Sequence, residues 1–136
     1  MIFLDTNVVI HFNKRNYPLL VKRIIAAFDD GQLLVLPVIV LLELEVGARR
    51  SAWPDAARSR LDKFLTFIAA IHFFEKADAQ TAAELKSRLE LRGERIGAYD
   101  LLIAAQVLRR DGLLVTNNVR EFSRIPGLKW EDWTLP

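Results

Sequence analysis

Two acids in this chain sit where nothing local explains them. Glu43 has Ile39, Val40, Val46 and Gly47 as its helical neighbours, all apolar or small. Asp100 has Ile96, Gly97, Ile103 and Ala104. A carboxylate in such company carries a large desolvation cost unless a partner arrives from elsewhere in the chain. Asp5 is a third acid of interest, because it closes the apolar run Ile2-Phe3-Leu4 and is followed by Thr6-Asn7. Thr116-Asn117-Asn118 is a similar polar cluster after Leu113-Leu114-Val115. Each feature has a plainer explanation. Asp5 and the Asn residues suit turns and helix caps, and Asp100 suits the positive end of a helix. Taken together, they place oxygen ligands on segments able to face one cleft. Two carboxylates about 5 Å apart repel by ~3 kcal/mol at an effective dielectric near 20. Three gathered acids therefore protonate or bind a cation. Oxygen-only ligation suits Mg²⁺ or Mn²⁺. The chemistry that follows is phosphodiester hydrolysis by a water that the ion activates.

Other acids have cations at helical spacing. Glu45 with Arg49, Asp62 with Arg58, Glu84 with Arg88 and Glu90 with Lys86 are all four residues apart. They read as solvated faces, each pair contributing about 0.3 kcal/mol.

The elements that would position the three acids follow from the apolar pattern. Short apolar runs at Ile2–Leu4, Leu33–Leu36, His72–Phe74 and Leu113–Val115 predict buried strands, with Leu128–Trp130 as a short last one. Between them, helices are predicted from Pro18 to about Asp29, Pro37 to Arg49, Pro54 to Ile71, Ala77 to Arg92 and Tyr99 to Arg110. Gly31, Gly93 and Gly112 follow three of them as stop signals. The helix after Pro37 is apolar on nearly every side and is expected to be mostly buried. Gly47 in that helix would let another backbone or a ligand approach closely. Residues Thr116–Arg124 read as a loop. Strands alternating with helices predict an α/β domain with a parallel sheet. The organised segment is one domain, residues 1–136.

Composition narrows the classes. With 136 residues, 51% of them hydrophobic, the chain has a real core to bury. The absence of cysteine removes disulfides, thiolate metal sites and cysteine nucleophiles, and suits a cytoplasmic, reducing setting. The N-terminal run has no basic stretch before it, which argues against a signal peptide. The longest apolar stretch, Leu33–Leu42, is too short to span a bilayer. A net charge of +2 permits nucleic-acid binding without arguing for it. No glycine-rich loop ending in Lys is present to cradle a nucleotide. A phosphoacceptor domain would want a Lys where Thr116-Asn117-Asn118 stands, and an aspartyl phosphatase a second acid where Asn7 stands.

The chain resembles the PIN-domain ribonucleases, specifically the VapC toxins of toxin–antitoxin pairs. The resemblance covers essentially the whole chain and is carried by four motifs in order. They are Phe3-Leu4-Asp5-Thr6-Asn7, Glu43-Leu44-Glu45-Val46-Gly47-Ala48, Ile96 through Ala105 with Asp100 at its centre, and Leu114 through Phe122. It implies a PIN-like three-layer fold with a central parallel sheet of 4–5 strands flanked by helices. It further implies an acidic quartet that binds Mg²⁺ or Mn²⁺ and cleaves RNA. By motif, the quartet is Asp5, Glu43, Asp100 and, where many members have Asp, Asn118. Asn118 offers a neutral oxygen, for a weak or water-mediated contact, and Glu43 is implied as a ligand either directly or through water. Asn7 and Thr116 are implied as positioning residues. The ending from Arg120 to Trp133 is similar to the branch that cuts initiator tRNA in its anticodon stem-loop. A homodimer and a small VapB-type antitoxin are the implied partners.

Arg120 and Arg124 flank the loop carrying Asn118 and are the foremost candidates for RNA backbone contact, ahead of Arg49, Arg50, Arg95 and Lys129. The plainer explanation for each is a solvated surface charge. His11 lies just beyond the first strand, and His72 lies in an apolar strand as a structural residue. A metal-free mechanism using two histidines is therefore disfavoured. Two other readings stay open: a non-catalytic RNA- or protein-binding PIN module, and a DNA nuclease of the same metal chemistry.

Overall fold

A computed structural model describes every residue, Met1–Pro136. Five strands, β1 (Ile2–Leu4), β2 (Leu34–Pro37), β3 (Ala70–His72), β4 (Leu113–Val115) and β5 (Lys129–Glu131), form one sheet. Its order is β3-β2-β1-β4-β5, and every neighbouring pair is parallel. Seven helices flank it: α1 (Thr6–Lys14), α2 (Pro18–Asp29), α3 (Val38–Arg50), α4 (Pro54–Leu65), α5 (Lys76–Leu91), α6 (Ala98–Arg109) and α7 (Val119–Phe122).

Burial follows the position of each strand in the sheet. The central β1 and its neighbour β2 are buried at every residue, which is why they read as unbroken apolar runs. The edge strands β3 and β5 are partly exposed. Phe3, Leu4, Leu36, Ile103, Leu114 and Phe122 form the centre of the core. Gly112 admits β4 to this packing, since a Cβ there would stand 2.4 Å from the Phe3 ring. Pro18 and Pro54 open α2 and α4 at positions where a helix needs no N–H.

The structure departs from the expected elements in five places. α1 occupies Thr6–Lys14, which the apolar pattern leaves outside the expected helices. α4 stops at Leu65, not Ile71, because Thr66, Phe67 and Ile68 close tight turns onto Lys63, Phe64 and Leu65. The Thr66 hydroxyl also donates to the Lys63 carbonyl at 2.6 Å, competing with the helical bond. The chain then joins β2 early, and β3 runs over Ala70–His72 rather than His72–Phe74. The segment after Thr116 is not all loop, since it contains α7. Finally, α3 buries Val40, Leu44 and Ala48 but leaves Leu42 and Val46 about 40% exposed. Its apolar residues therefore extend onto a face that the fold leaves uncovered.

No helix is long and apolar enough to cross a membrane. The four expected surface pairs form: Glu45–Arg49, Asp62–Arg58, Glu84–Arg88 and Glu90–Lys86.

Candidate active site

Parallel pairing sets the site at the carboxyl ends of β1 and β4. The register pairs Leu4 with Val115, so the next residues, Asp5 and Thr116, leave the sheet side by side. Asp5 caps α1: one carboxylate oxygen accepts from the Thr6 N–H at 2.8 Å. Its other oxygen accepts from the Thr116 hydroxyl at 2.7 Å. Asp5 is only 5% exposed. Burial pushes its carboxyl above the usual range, against the bonds from Thr116 and Thr6, and the charges of Glu43 and Glu121 push the same way. Asp5 is thus both a helix cap and a member of an acid cluster.

Glu43 reaches the cluster from α3. Its Oε1 accepts from the Thr6 hydroxyl at 2.7 Å, so Thr6 supplies the partner that its apolar helical neighbours lack. Thr6 therefore bridges two acids, with its N–H on Asp5 and its hydroxyl on Glu43.

Asp100 stands in the first turn of α6, whose cap is Gly97. Its carboxyl is pushed up to about 8, first by desolvation, then by a hydrogen bond with Glu121 and by the charges of Asp5, Glu121 and Glu43. Glu121 moves the opposite way, its carboxylate favoured first by that same bond from Asp100. The bond between them thus favours the protonated form of Asp100 and the charged form of Glu121. The second Glu121 oxygen accepts from the Gly97 N–H at 3.1 Å, tying α7 to the start of α6.

Asn118 sits between these acids. Its amide NH₂ donates to Asp100 Oδ2 at 3.0 Å and to Glu121 Oε2 at 3.1 Å. Its backbone N–H donates to the Thr116 hydroxyl oxygen at 3.0 Å, so Thr116 links Asn118 to Asp5. One hydrogen-bonded chain thus runs Glu43–Thr6–Asp5–Thr116–Asn118–Asp100/Glu121.

The donor set fits a hard divalent cation. Every candidate ligand is an oxygen, and burial and the neighbouring acids push the Asp100 carboxyl up. As the side chains stand, no three of them are arranged around one point. The Asp5 oxygens are turned to Thr6 and Thr116, and Asp100 and Glu121 are turned to each other.

A model of the PIN domain matches residues 2–128. The chain belongs to the PIN-domain family. Ribonuclease VapC2 of Rickettsia felis is 37% identical over 96% of both chains. A tRNA(fMet)-specific endonuclease VapC from Shigella flexneri is 32% identical over 96% of both. The solved structure of VapBC2 from Rickettsia felis, bound to a DNA fragment from the promoter, matches with a TM-score of 0.89 at 33% identity. That match covers 98% of this chain and 99% of the other.

Within this PIN fold the expected residues fall into two groups. Asp5, Glu43, Asp100, Thr116 and Asn118 come together as described. Asn7 does not join them: it is exposed at the start of α1, and Thr6 beside it makes the contacts. Asn118 turns its NH₂, not its oxygen, towards the acids, since two carboxylates dictate that orientation. Glu121 was not singled out by sequence reasoning, and its carboxylate joins the cluster from one helical turn beyond Asn118. Its signal was there to be read: an acid three residues after Asn118 shares that residue's face. Arg120 is exposed and free, whereas Arg124 donates to the Arg95 carbonyl at 2.6 Å and its charge faces Glu121. His72 packs against Phe3 with ring centroids 5.3 Å apart, and burial lowers its pKa, as suits a structural residue. His11 packs edge-on against Tyr17.

Proposed function

We propose that this chain is a metal-dependent endoribonuclease toxin of the VapC type, hydrolysing RNA phosphodiester bonds and restrained by a VapB-type antitoxin. The observation that carries the reading is the hydrogen-bonded chain that gathers Glu43, Asp5, Asp100 and Glu121, with Asp100 half-buried at one end. Asp5 and Glu121 also serve the fold, as the cap of α1 and the tie from α7 to α6, and a divalent cation would relieve the charge that the four acids bring together. The names of the relatives support ribonuclease chemistry, and the tRNA(fMet)-specific relative supports initiator tRNA as the target. The VapBC neighbour supports the antitoxin. A homodimer is part of the same proposal.

Asp5, Asp100 and Glu121 would hold Mg²⁺ or Mn²⁺, with Glu43 acting through water. When bound, the ion supplies positive charge for the phosphate and leaving oxygens and an acidified water. The protein's own part is positioning. Thr6 and Thr116 fix Asp5, and Thr6 also fixes Glu43. Asn118 holds Asp100 against Glu121. A cation held there would favour the ionised form of Asp100. Arg120 is free to meet the RNA backbone.

The deciding experiment is incubation with total RNA, with and without Mg²⁺, followed by mapping of new 5′ ends. Discrete new ends that depend on Mg²⁺ and vanish in folded Asp5→Asn and Asp100→Asn variants are expected. In cells, the wild type should arrest growth and both variants should not. Continued toxicity of both variants would end the catalytic reading. RNA retention without cleavage would favour the non-catalytic PIN module.

A further inference from the structure

A groove of about 250 Å³ lies between α1, α3 and α4, and Glu43 is part of its wall. The acid cluster and the groove therefore share a residue. Lys14 from α1 and Arg60 from α4 also line it. Both are exposed, and neither pairs with a carboxylate, unlike Arg49 and Arg58 on α3 and α4, which are bound to Glu45. Asn13 and Ser51 add polar groups to the walls.

Gly47 lines the same groove from the interior of α3. Glycine within a helix costs stability relative to alanine. Here a Cβ would meet nothing within 4 Å, so neither backbone conformation nor packing in the chain itself calls for glycine. The open space beside Gly47 is continuous with the groove that carries the two unpaired cations.

We propose that this groove holds the phosphate backbone of the RNA on one side of the scissile bond, with Lys14 and Arg60 facing its phosphates. The inference rests on the nuclease reading above for the identity of the strand. Two unpaired cations leading away from a carboxylate cluster suit a polyanion whose reacting phosphate lies at the acids. Apolar residues between them suit sugars and bases, and Gly47 lets the strand lie close to α3.

The test compares Gly47→Leu and the double variant Lys14→Ala/Arg60→Ala with the wild type. A second double variant, Lys63→Ala/Lys76→Ala, makes the same charge change at exposed sites outside the groove. Binding is read by fluorescence anisotropy on a labelled single-stranded RNA of about a dozen nucleotides, in EDTA. Both groove variants should bind roughly tenfold more weakly at low salt. The Lys14/Arg60 variant should also flatten the log–log salt dependence by about 1.4, the contribution of two single-strand phosphate contacts. The control should change neither. Hydrolysis of bis(p-nitrophenyl) phosphate, which is too small to reach Lys14 and Arg60, should be unchanged in Lys14→Ala/Arg60→Ala and in the control, and all variants should melt cooperatively.

Wild-type RNA affinity and salt slope in both groove variants would overturn the proposal, whatever those variants do to antitoxin binding. Weakening by the control equal to that by Lys14→Ala/Arg60→Ala would overturn it too. Groove-dependent binding in a wild type that cleaves neither RNA nor the small diester would uphold the groove and remove the nuclease reading instead.

Discussion

Replacing Asp100 by Asn should stabilise the metal-free protein, and the gain should grow with pH. The folded Asp100 carboxyl titrates at about 8 against an ordinary 3.8. Between those values the folded state keeps a proton that the unfolded chain has lost, so wild-type stability falls as pH rises through that window. The amide introduced by Asp100→Asn would mimic the protonated acid at every pH, since it offers an N–H to Glu121 and an oxygen to Asn118. The gap from 3.8 to about 8 corresponds to a ceiling of about 6 kcal/mol. Asp100 is partly exposed and shares its proton with Glu121, whose pKa is lowered, so a gain of about 1–3 kcal/mol at pH 8 is expected. For a domain of this size that raises Tm by roughly 5–10 °C. The assay is thermal melting in EDTA at pH 5 and pH 8.5, then with Mn²⁺ added. Metal should stabilise the wild type at pH 8.5 by mass action and stabilise Asp100→Asn far less. A variant that gains nothing between the two pH values, or that responds to Mn²⁺ like the wild type, would refute the reasoning.

Three further outcomes follow from the same geometry. Asn118→Asp replaces the NH₂ bridge between Asp100 and Glu121 with another charge. Its metal-free Tm should fall and its Mn²⁺ affinity rise, read by melting and calorimetry. Asp78 is fully buried; desolvation alone would raise its pKa, but bonds from Arg110 and Arg109 hold it down to about 2. Asp78→Ala should cost about 3–5 kcal/mol by urea unfolding at pH 7, because it leaves the largely buried Arg110 without a carboxylate while Arg109 keeps Glu75; the wild-type contribution is lost as pH falls towards about 2. Glu45 accepts from Arg58 and Arg49 on the surface and is held near 2. Glu45→Gln should cost less than about 1 kcal/mol and leave RNA cleavage intact.

Legibility in the sequence tracked how local each determinant was. β1, β2 and β4 were visible as apolar runs because both sheet faces are covered. The edge strand β3 was displaced by two residues, since its start depends on where α4 turns onto β2, a tertiary matter. Glu43 and Asp100 stood out through the absence of a nearby cation, and both enter the cluster. Glu121 did not stand out: it lies in a segment that reads as a loop, with Arg124 three residues on as a nearby cation. Only the fold shows that Arg124 is drawn to the Arg95 carbonyl while Glu121 turns to Gly97, Asn118 and Asp100. Thr6 was missed for the same reason, because its hydroxyl partner is 37 positions away.

The sheet order explains why acids so far apart in sequence can act on one another. β1 lies between β2 and β4, so the segments leaving those strands, α3 and the Thr116–Asn118 turn, flank Asp5 on either side. α3 brings Glu43 to Thr6 on one side, while Thr116 brings Asn118 to Asp100 and Glu121 on the other. A parallel sheet directs all its carboxyl ends one way, and with them the acids that follow. An antiparallel neighbour to β1 would send its following turn to the opposite edge. The cluster is thus a consequence of strand direction and register, and a one-residue slip between β1 and β4 would separate Asp5 from Thr116.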